Sequence, residues 1–301
     1  MNIYQFFINE QVGIRQLMPK DVNILLKAGF LYKSVLDQAL GQRFSKVFRI
    51  TPPSTGLVAC NVQEDRALGF ISLVEHTNWL YSIKFLFVEP VSRKLGIATG
   101  LINYAKSLAK ERGVRKVFLN ANSDDSSLTQ FYLKRSFTLI TDSLMVWGRG
   151  SSKKLQNSAI DLQTSFKAVS EGNTSQAFDF YKTCMGQQWI DFFEINQKNL
   201  LNGFSQDNKP LFSKRAFFIK PEFSLALVSR LAFLHSGYTE LYVPSKSDIS
   251  TILTTLSCLL SKKGITYSKL TVLNINGNRC LDLLKESEFY PFQAKTLGLI
   301  L

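Results

Sequence analysis

The chain has 301 residues, 45% of them apolar and 20% charged, a globular composition that excludes a disordered or low-complexity protein. That length is too great for one ordinary compact core and is enough for two domains. The net charge of +13 is spread over both halves and forms no long basic block. It reads mainly as solubility, and it also permits a phosphate-bearing ligand or an acidic substrate. With no nucleic-acid motif present, no nucleic-acid partner is expected.

No apolar run is long enough to span a bilayer, so no membrane role is expected. The opening Met1-Asn2-Ile3-Tyr4-Gln5-Phe6-Phe7 lacks the basic segment and cleavage site of a signal peptide. Cys60, Cys184, Cys258 and Cys280 are scattered without metal-ligand spacing. They read as reduced thiols of a cytoplasmic protein. With only His76 and His235 present, neither a histidine metal site nor a catalytic triad is expected.

In chain order, Val12–Leu17 reads as a first strand. Pro19 is placed to open a helix through Val22, Leu25, Leu26 and Phe30, and a second helical segment covers 34–44. Thr51–Gly56 reads as a loop. Three strands follow, at 57–62, 68–74 and 81–88, with Glu64-Asp65-Arg66 turning between the first two. Pro90 stops the third strand. Ile97, Leu101, Ile102, Ala105, Leu108 and Ala109 then share one helical face, and Gly113 ends that helix. Lys116–Asn122 is a further strand and Ser123–Ser126 a polar turn and cap. A short helix places Leu128, Phe131 and Tyr132 inward, and Leu139–Trp147 gives the last strands of the half. Gly148–Lys154 is small, polar and basic and reads as a linker. The expected domains are residues 1–149 and 155–301.

The loop from Arg93 to Thr99 has an evident physical use. Gly96 lets backbone approach a bulky ligand, and the first amides of the following helix point outward unpaired, carrying the positive end of the dipole. With Arg93 and Lys94 beside them, they form an anion cradle suited to a pyrophosphate.

Arg93-x-x-Gly96-x-Ala98 after a strand resembles the acyl-CoA loop of the GNAT acetyltransferase superfamily. Asp125-x-Ser127, then Phe131-Tyr132-x-x-x-Ser136-Phe137, resembles that family's Asn-x-Ala…Phe-Tyr-x-x-x-Gly-Phe segment, with Asp125 replacing Asn and Ser136 replacing Gly. The resemblance implies an α/β fold (α+β, mixed sheet) of the GNAT acyltransferase type, and transfer of acetyl from acetyl-CoA, without a metal, to the amine of a small molecule or peptide. It further implies that the backbone of Leu86, Phe87 and Val88 pairs with the pantetheine arm. Arg93, Lys94, Leu95, Gly96, Ile97, Ala98 and Thr99 would hold the pyrophosphate, with Asp125 on the cofactor side and Tyr132 protonating the departing thiolate.

Many members carry a carboxylate base on the fourth strand, where this chain has Lys84. Glu75 and Glu89 are the possible substitutes, and neither is assigned. A GNAT-fold module that binds acyl-CoA without turnover, and an interaction protein retaining only the fold, are the alternatives.

The second half repeats the first in outline. Tyr242-Val243-Pro244 echoes Phe87–Pro90, Ile249–Leu260 forms a helical stripe ending at Gly264, and Lys269–Asn274 echoes Lys116–Asn120. Leu281, Leu284 and Phe289 follow at the spacing of the Tyr132 helix. This matched order reads as a duplicated GNAT-like unit. Pro244–Asp248 runs into its helix with no glycine, and Asp248 is placed to cap it. The second copy is therefore expected to bind no CoA.

Overall fold

The computed structural model describes residues 4–31, 33, 36, 54–122, 125–140, 145–151, 167–168, 174–197, 212–220, 224–231, 236–242, 267–273 and 292–301. The helices expected at 34–44, 249–260 and 281–289, and the Pro244–Asp248 turn, lie outside them. By backbone contacts the chain divides into two units. The first comprises Met1–Asn120, Arg135–Phe137 and Gly298–Leu301, and the second Ala121–Lys134 and Thr138–Leu297. No helix among the described residues is long and apolar enough to cross a membrane.

The first unit is built on β1 (Phe6–Asn9), β2 (Val12–Gln16), β3 (Ser54–Asn61), β4 (Arg66–Glu75), β5 (Leu80–Val88) and β6 (Lys116–Asn122), adjacent in that order. The first five pair antiparallel, and β5 with β6 is parallel. The sequence reading missed β1, whose Phe6 and Phe7 stay partly exposed and give no alternation of buried and open positions. It also read Ser54–Gly56 as loop. They begin β3 instead, opposite Val74, Leu73 and Ser72, because a long partner strand satisfies their backbone groups.

Helices cover both faces of β4, which explains its nearly unbroken burial from Ala67 to Val74. α1 (Pro19–Lys27) seals one face over Leu17, Val22, Leu25, Phe30, Val58 and Phe70. α2 (Ile97–Glu111) covers the other with Ile97, Leu101, Ile102, Ala105 and Ala109. Each of the Val, Leu, Ile and Phe side chains among these stabilises the fold by about 1.5–3 kcal/mol when fully buried. Gly100 is a close approach: a Cβ there would lie 2.4 Å from Ile8 of β1.

α1 is fastened at its start by charge. Arg15 on β2, fully buried, donates to both carboxylate oxygens of Asp21 at 2.7 and 2.8 Å and through Nε to Asp65 at 3.0 Å. Asp21 also accepts from the Met18 amide at 2.7 Å, closing the first turn of α1. Tyr4 and Lys20 donate to Asp65 as well. Burial opposes ionisation of Asp65, but the hydrogen bonds from Lys20, Arg15 and Tyr4 outweigh it and hold the carboxyl at about 2. Burial beside this network pushes the Cys60 thiol up to about 12, which makes it inert at neutral pH.

The second unit holds α3 (Ser126–Leu133), β7 (Thr138–Leu139), β8 (Met145–Ser151), β9 (Lys167–Ala168), α4 (Thr174–Met185), α5 (Gln187–Phe193), β10 (Phe212–Lys220), β11 (Ser224–Leu231), β12 (Ser236–Tyr242), β13 (Tyr267–Leu273) and most of β14 (Phe292–Ile300). β9 to β12 pair antiparallel in turn, and β12 with β13 is parallel. β8 lies antiparallel to β13 and β14.

Gly148–Ser151, expected as linker, is therefore strand, registered from Gly148 opposite Leu270 to Ser151 opposite Tyr267. Pairing with β13 along its whole length overrides the weak strand propensity of Gly-Arg-Gly-Ser. The antiparallel run ending in a parallel pair occurs in both units. α4 and α5 were not anticipated. They enclose Tyr181, Trp189, Phe192 and Phe193, with Trp189 Nε1 donating to the Tyr181 hydroxyl at 2.8 Å.

Candidate functional site

β5 pairs with β6 only from Leu80 to Ile83, opposite Lys116 to Leu119. It continues beside β4 as far as Val88. Among the described residues, the β6-side edge of β5 from Lys84 to Val88 thus carries no ladder. An extended ligand with amide groups can add to such an edge like a strand. Leu86, Phe87 and Val88 all lie on it and are half-buried.

The register explains how the edge opens. Ser72 lies opposite Phe85 and Leu73 opposite Ile83, so Lys84 is an extra residue in β5. This bulge reverses the phase of the strand. Tyr81, opposite Glu75 and interacting with Arg112, points toward α2. Two residues beyond Ile83, Phe85 points the other way and meets Phe30 edge-on at 6.0 Å, as Phe87 does at 5.5 Å.

The loop beyond β5 is braced by ion pairing. Glu89 accepts from Arg66 at 2.8 Å and from the Ser92 hydroxyl at 2.9 Å, across a short 3-10 turn, Pro90–Ser92. Burial opposes ionisation of Glu89, but the Arg66 and Ser92 hydrogen bonds hold its carboxyl below the usual range. Glu89 is thereby committed to structure and is not an available base. Glu75 interacts with Tyr81, on the α2 face.

Arg93, Lys94, Leu95 and Gly96 are exposed. Lys94 and Gly96 both adopt positive φ, 65° and 78°, and this is what requires glycine at 96. A Cβ at Gly96 would meet no atom within 4 Å, so the space before the loop is open. Gly96 is the N-cap of α2 and no side chain caps the helix. The amides of Ile97, Ala98 and Thr99 therefore face outward with the positive helix end. Ile97 contributes only its amide, because its side chain is core. The cradle fits a pyrophosphate: glycine where approach is closest, uncapped amides behind, and cations at the rim.

Sequence reasoning missed a further cation. Arg135 donates through its guanidinium to the Thr99 hydroxyl in the first turn of α2, and Lys106 donates to the Arg135 carbonyl. The only sequence signal was a basic residue just before Ser136-Phe137. Ser136 has φ of 66°, a left-handed conformation that explains why the resembled motif carries glycine there.

His76 was also set aside. Its Nε2 lies 2.8 Å from the Ser82 hydroxyl, and its ring packs 5.2 Å from Phe118. Burial, then the charge of Lys84, pushes the imidazole down to about 4, so it is neutral at neutral pH. Lys84 is itself exposed, yet enough protein surrounds its ammonium for desolvation to lower its pKa.

Asp125 and Tyr132 lie on α3, in the second unit. Asp125 caps that helix, accepting from the Leu128 amide at 2.9 Å and the Ser127 hydroxyl at 2.6 Å. Those bonds, Ser127 first, lower its pKa. An aspartate thus does the capping work of the motif's usual asparagine. Tyr132 is the buried residue of α3, its ring edge-on to Phe131 at 5.1 Å.

These features define a mixed α/β fold built on a mixed sheet. Residues 28–137 match the model of the acetyltransferase (GNAT) family. That segment carries the whole cradle and the open edge of β5. No curated protein matches the chain. Among solved structures, a GCN5-related N-acetyltransferase from Sphaerobacter thermophilus is similar at 11% identity, with 97% of this chain and 96% of that one covered and a TM-score of 0.49. A tandem GNAT protein from the clavulanic acid biosynthesis pathway shares 13% identity over 96% of this chain and 98% of its own, with a TM-score of 0.45. The PaiA N-acetyltransferase of Thermoplasma acidophilum, solved with coenzyme A, shares 20% identity over 44% of this chain and 92% of its own, with a TM-score of 0.33.

Proposed function

We propose that the chain is an N-acetyltransferase that moves an acetyl group from acetyl-CoA to the amine of a small molecule or peptide. The observation that carries this reading is one juxtaposition. Among the described residues, β6 pairs with β5 only as far as Ile83, and the rest of that edge runs directly into the Gly96 cradle at the start of α2. A pantetheine arm needs an open strand edge, and its pyrophosphate needs uncapped amides one loop further on.

Arg93, Lys94 and Arg135 supply the charge that holds the diphosphate. Tyr132 supplies the proton to the departing thiolate, since a phenol can donate at neutral pH when its ring is fixed by packing. The second half is a duplicated GNAT-like unit without a cradle of its own, and its share is structural.

Calorimetry of acetyl-CoA binding tests the assignment. Gly96→Glu places bulk and negative charge at the phosphate position and should abolish binding, and an unchanged affinity would refute the cradle. In the same series Tyr132→Phe should bind acetyl-CoA normally and lose kcat on the order of 10²-fold with any accepted amine. Full kcat would leave Tyr132 a packing residue only. A module that binds acyl-CoA without turnover is the second reading. It is favoured by the lysine, rather than a carboxylate, at the bulge of β5, and it is distinguished by binding without thiol release on any amine.

A further inference from the structure

Lys84 stands at the mouth of the open edge, and its surroundings are unusual for a lysine. It is the extra residue of the β5 bulge, placed where β5 leaves β6. It acts electrostatically on the His76 imidazole, which is neutral and lies 2.8 Å from the Ser82 hydroxyl. Several carboxylates of the same unit are committed elsewhere. Asp21 and Asp65 serve Arg15, Glu64 and Glu89 serve Arg66, and Glu75 interacts with Tyr81 on the α2 face. Among the described residues no acidic side chain pairs with Lys84. An exposed ammonium with no acidic partner is open to a charge-assisted hydrogen bond with an anionic ligand.

We infer that the acceptor amine belongs to a molecule that also carries an anionic group, a carboxylate or a phosphate, and that Lys84 receives that group beside the His76–Ser82 pair. The inference rests on the acetyltransferase reading for the amine, while the anion site itself stands on the β5 bulge. The lowered pKa of Lys84 agrees with it, since a desolvated lysine gains more from a bound anion than a solvated one does. The positive charge also has a chemical use. In the free site it disfavours a competing cation that carries no anionic group.

The test uses the full chain. Calorimetry with acetyl-CoA comes first and reads the co-substrate assignment alone. The protein, isotope-labelled at lysine Cε, is then titrated by NMR with sodium phosphate and separately with sodium acetate at constant ionic strength. The Lys84 signal, identified by its loss in Lys84→Gln, should follow a saturating curve with one of the two anions, about 10-fold tighter than any other lysine. The anion that saturates separates a phosphate from a carboxylate site.

Thiol release from acetyl-CoA is then followed for phosphoserine against serine and for glutamate against glutamine. The charged member of the matching pair should lead in kcat/KM by about 10-fold, and Lys84→Gln should erase the lead through KM. A Lys84 signal that drifts linearly with both anions overturns the proposal even where acetyl-CoA binds. Equal turnover of charged and neutral amines overturns it too. Saturation at Lys84 without acetyl-CoA binding would remove the co-substrate reading and leave the anion site in place.

Discussion

Ser136 departs from the resembled motif against the preference of its own backbone. Its φ of 66° costs an L-residue about 1–2 kcal/mol. Ser136→Gly should therefore raise stability by about 1 kcal/mol, read as a higher urea midpoint at unchanged slope. A midpoint that stays or falls would show that the hydroxyl compensates for the strain. The neighbouring Arg135 already bonds Thr99, so stiffening this turn should also hold that cation at the cradle. The departure at Asp125 has the opposite character. Its carboxylate accepts the same cap hydrogen bond an asparagine would, so that substitution is conservative at the backbone.

At the scale of elements, the network of Arg15, Asp21 and Asp65 ties α1 to β2 and to the β3–β4 turn. It predicts an acid-labile fold. The Asp65 carboxyl lies at about 2 in the folded chain against an ordinary value of 3.8. A depressed carboxyl stabilises above its unfolded value, and that contribution is lost as pH falls through the folded one. With solvent screening it is worth on the order of 1 kcal/mol. Asp65→Asn should thus be less stable than the parent at pH above about 4, with the gap closing by pH of about 2. Denaturation midpoints across that range check it, and a gap independent of pH would assign the loss to packing.

The same elements show what the sequence made legible. The strands 68–74, 81–88 and 116–122, the amphipathic α2 and the Gly96 loop were readable, because glycine, proline and apolar periodicity act locally. The bulge at Lys84 was not, since Ile83–Val88 is apolar nearly throughout and hides a change of phase. Lys84 was noted where many family members carry a carboxylate base, but the nearby His76–Ser82 pair forms across a hairpin, which periodicity does not report. Arg135 reaches Thr99 from beyond α3, a tertiary contact with no local signature.

At the scale of the whole molecule, neither unit is a contiguous stretch of chain. Gly298–Leu301 belongs to the first unit, where the Leu301 amide donates to the Arg115 carbonyl at 2.9 Å and Leu299 is 9% exposed. Deleting these four residues should cost about 2–4 kcal/mol, by loss of one buried leucine and its neighbouring ladder contact. Thermal unfolding with acetyl-CoA as a reporter of the first unit would measure it, and an unchanged midpoint would make the segment an appendage.

That arrangement also has a consequence in time. A chain leaves the ribosome in order, and its domains ordinarily fold as they emerge. Here the first unit, which holds the cradle and the open edge, stays unfinished until Gly298–Leu301 has been made. Until then, the backbone hydrogen-bonding groups that receive that segment, the Arg115 carbonyl among them, are exposed to whatever else the cell offers. Closure across so long a separation is slow, so the nascent protein has an extended interval in which a chaperone, or a wrong strand, can arrive first.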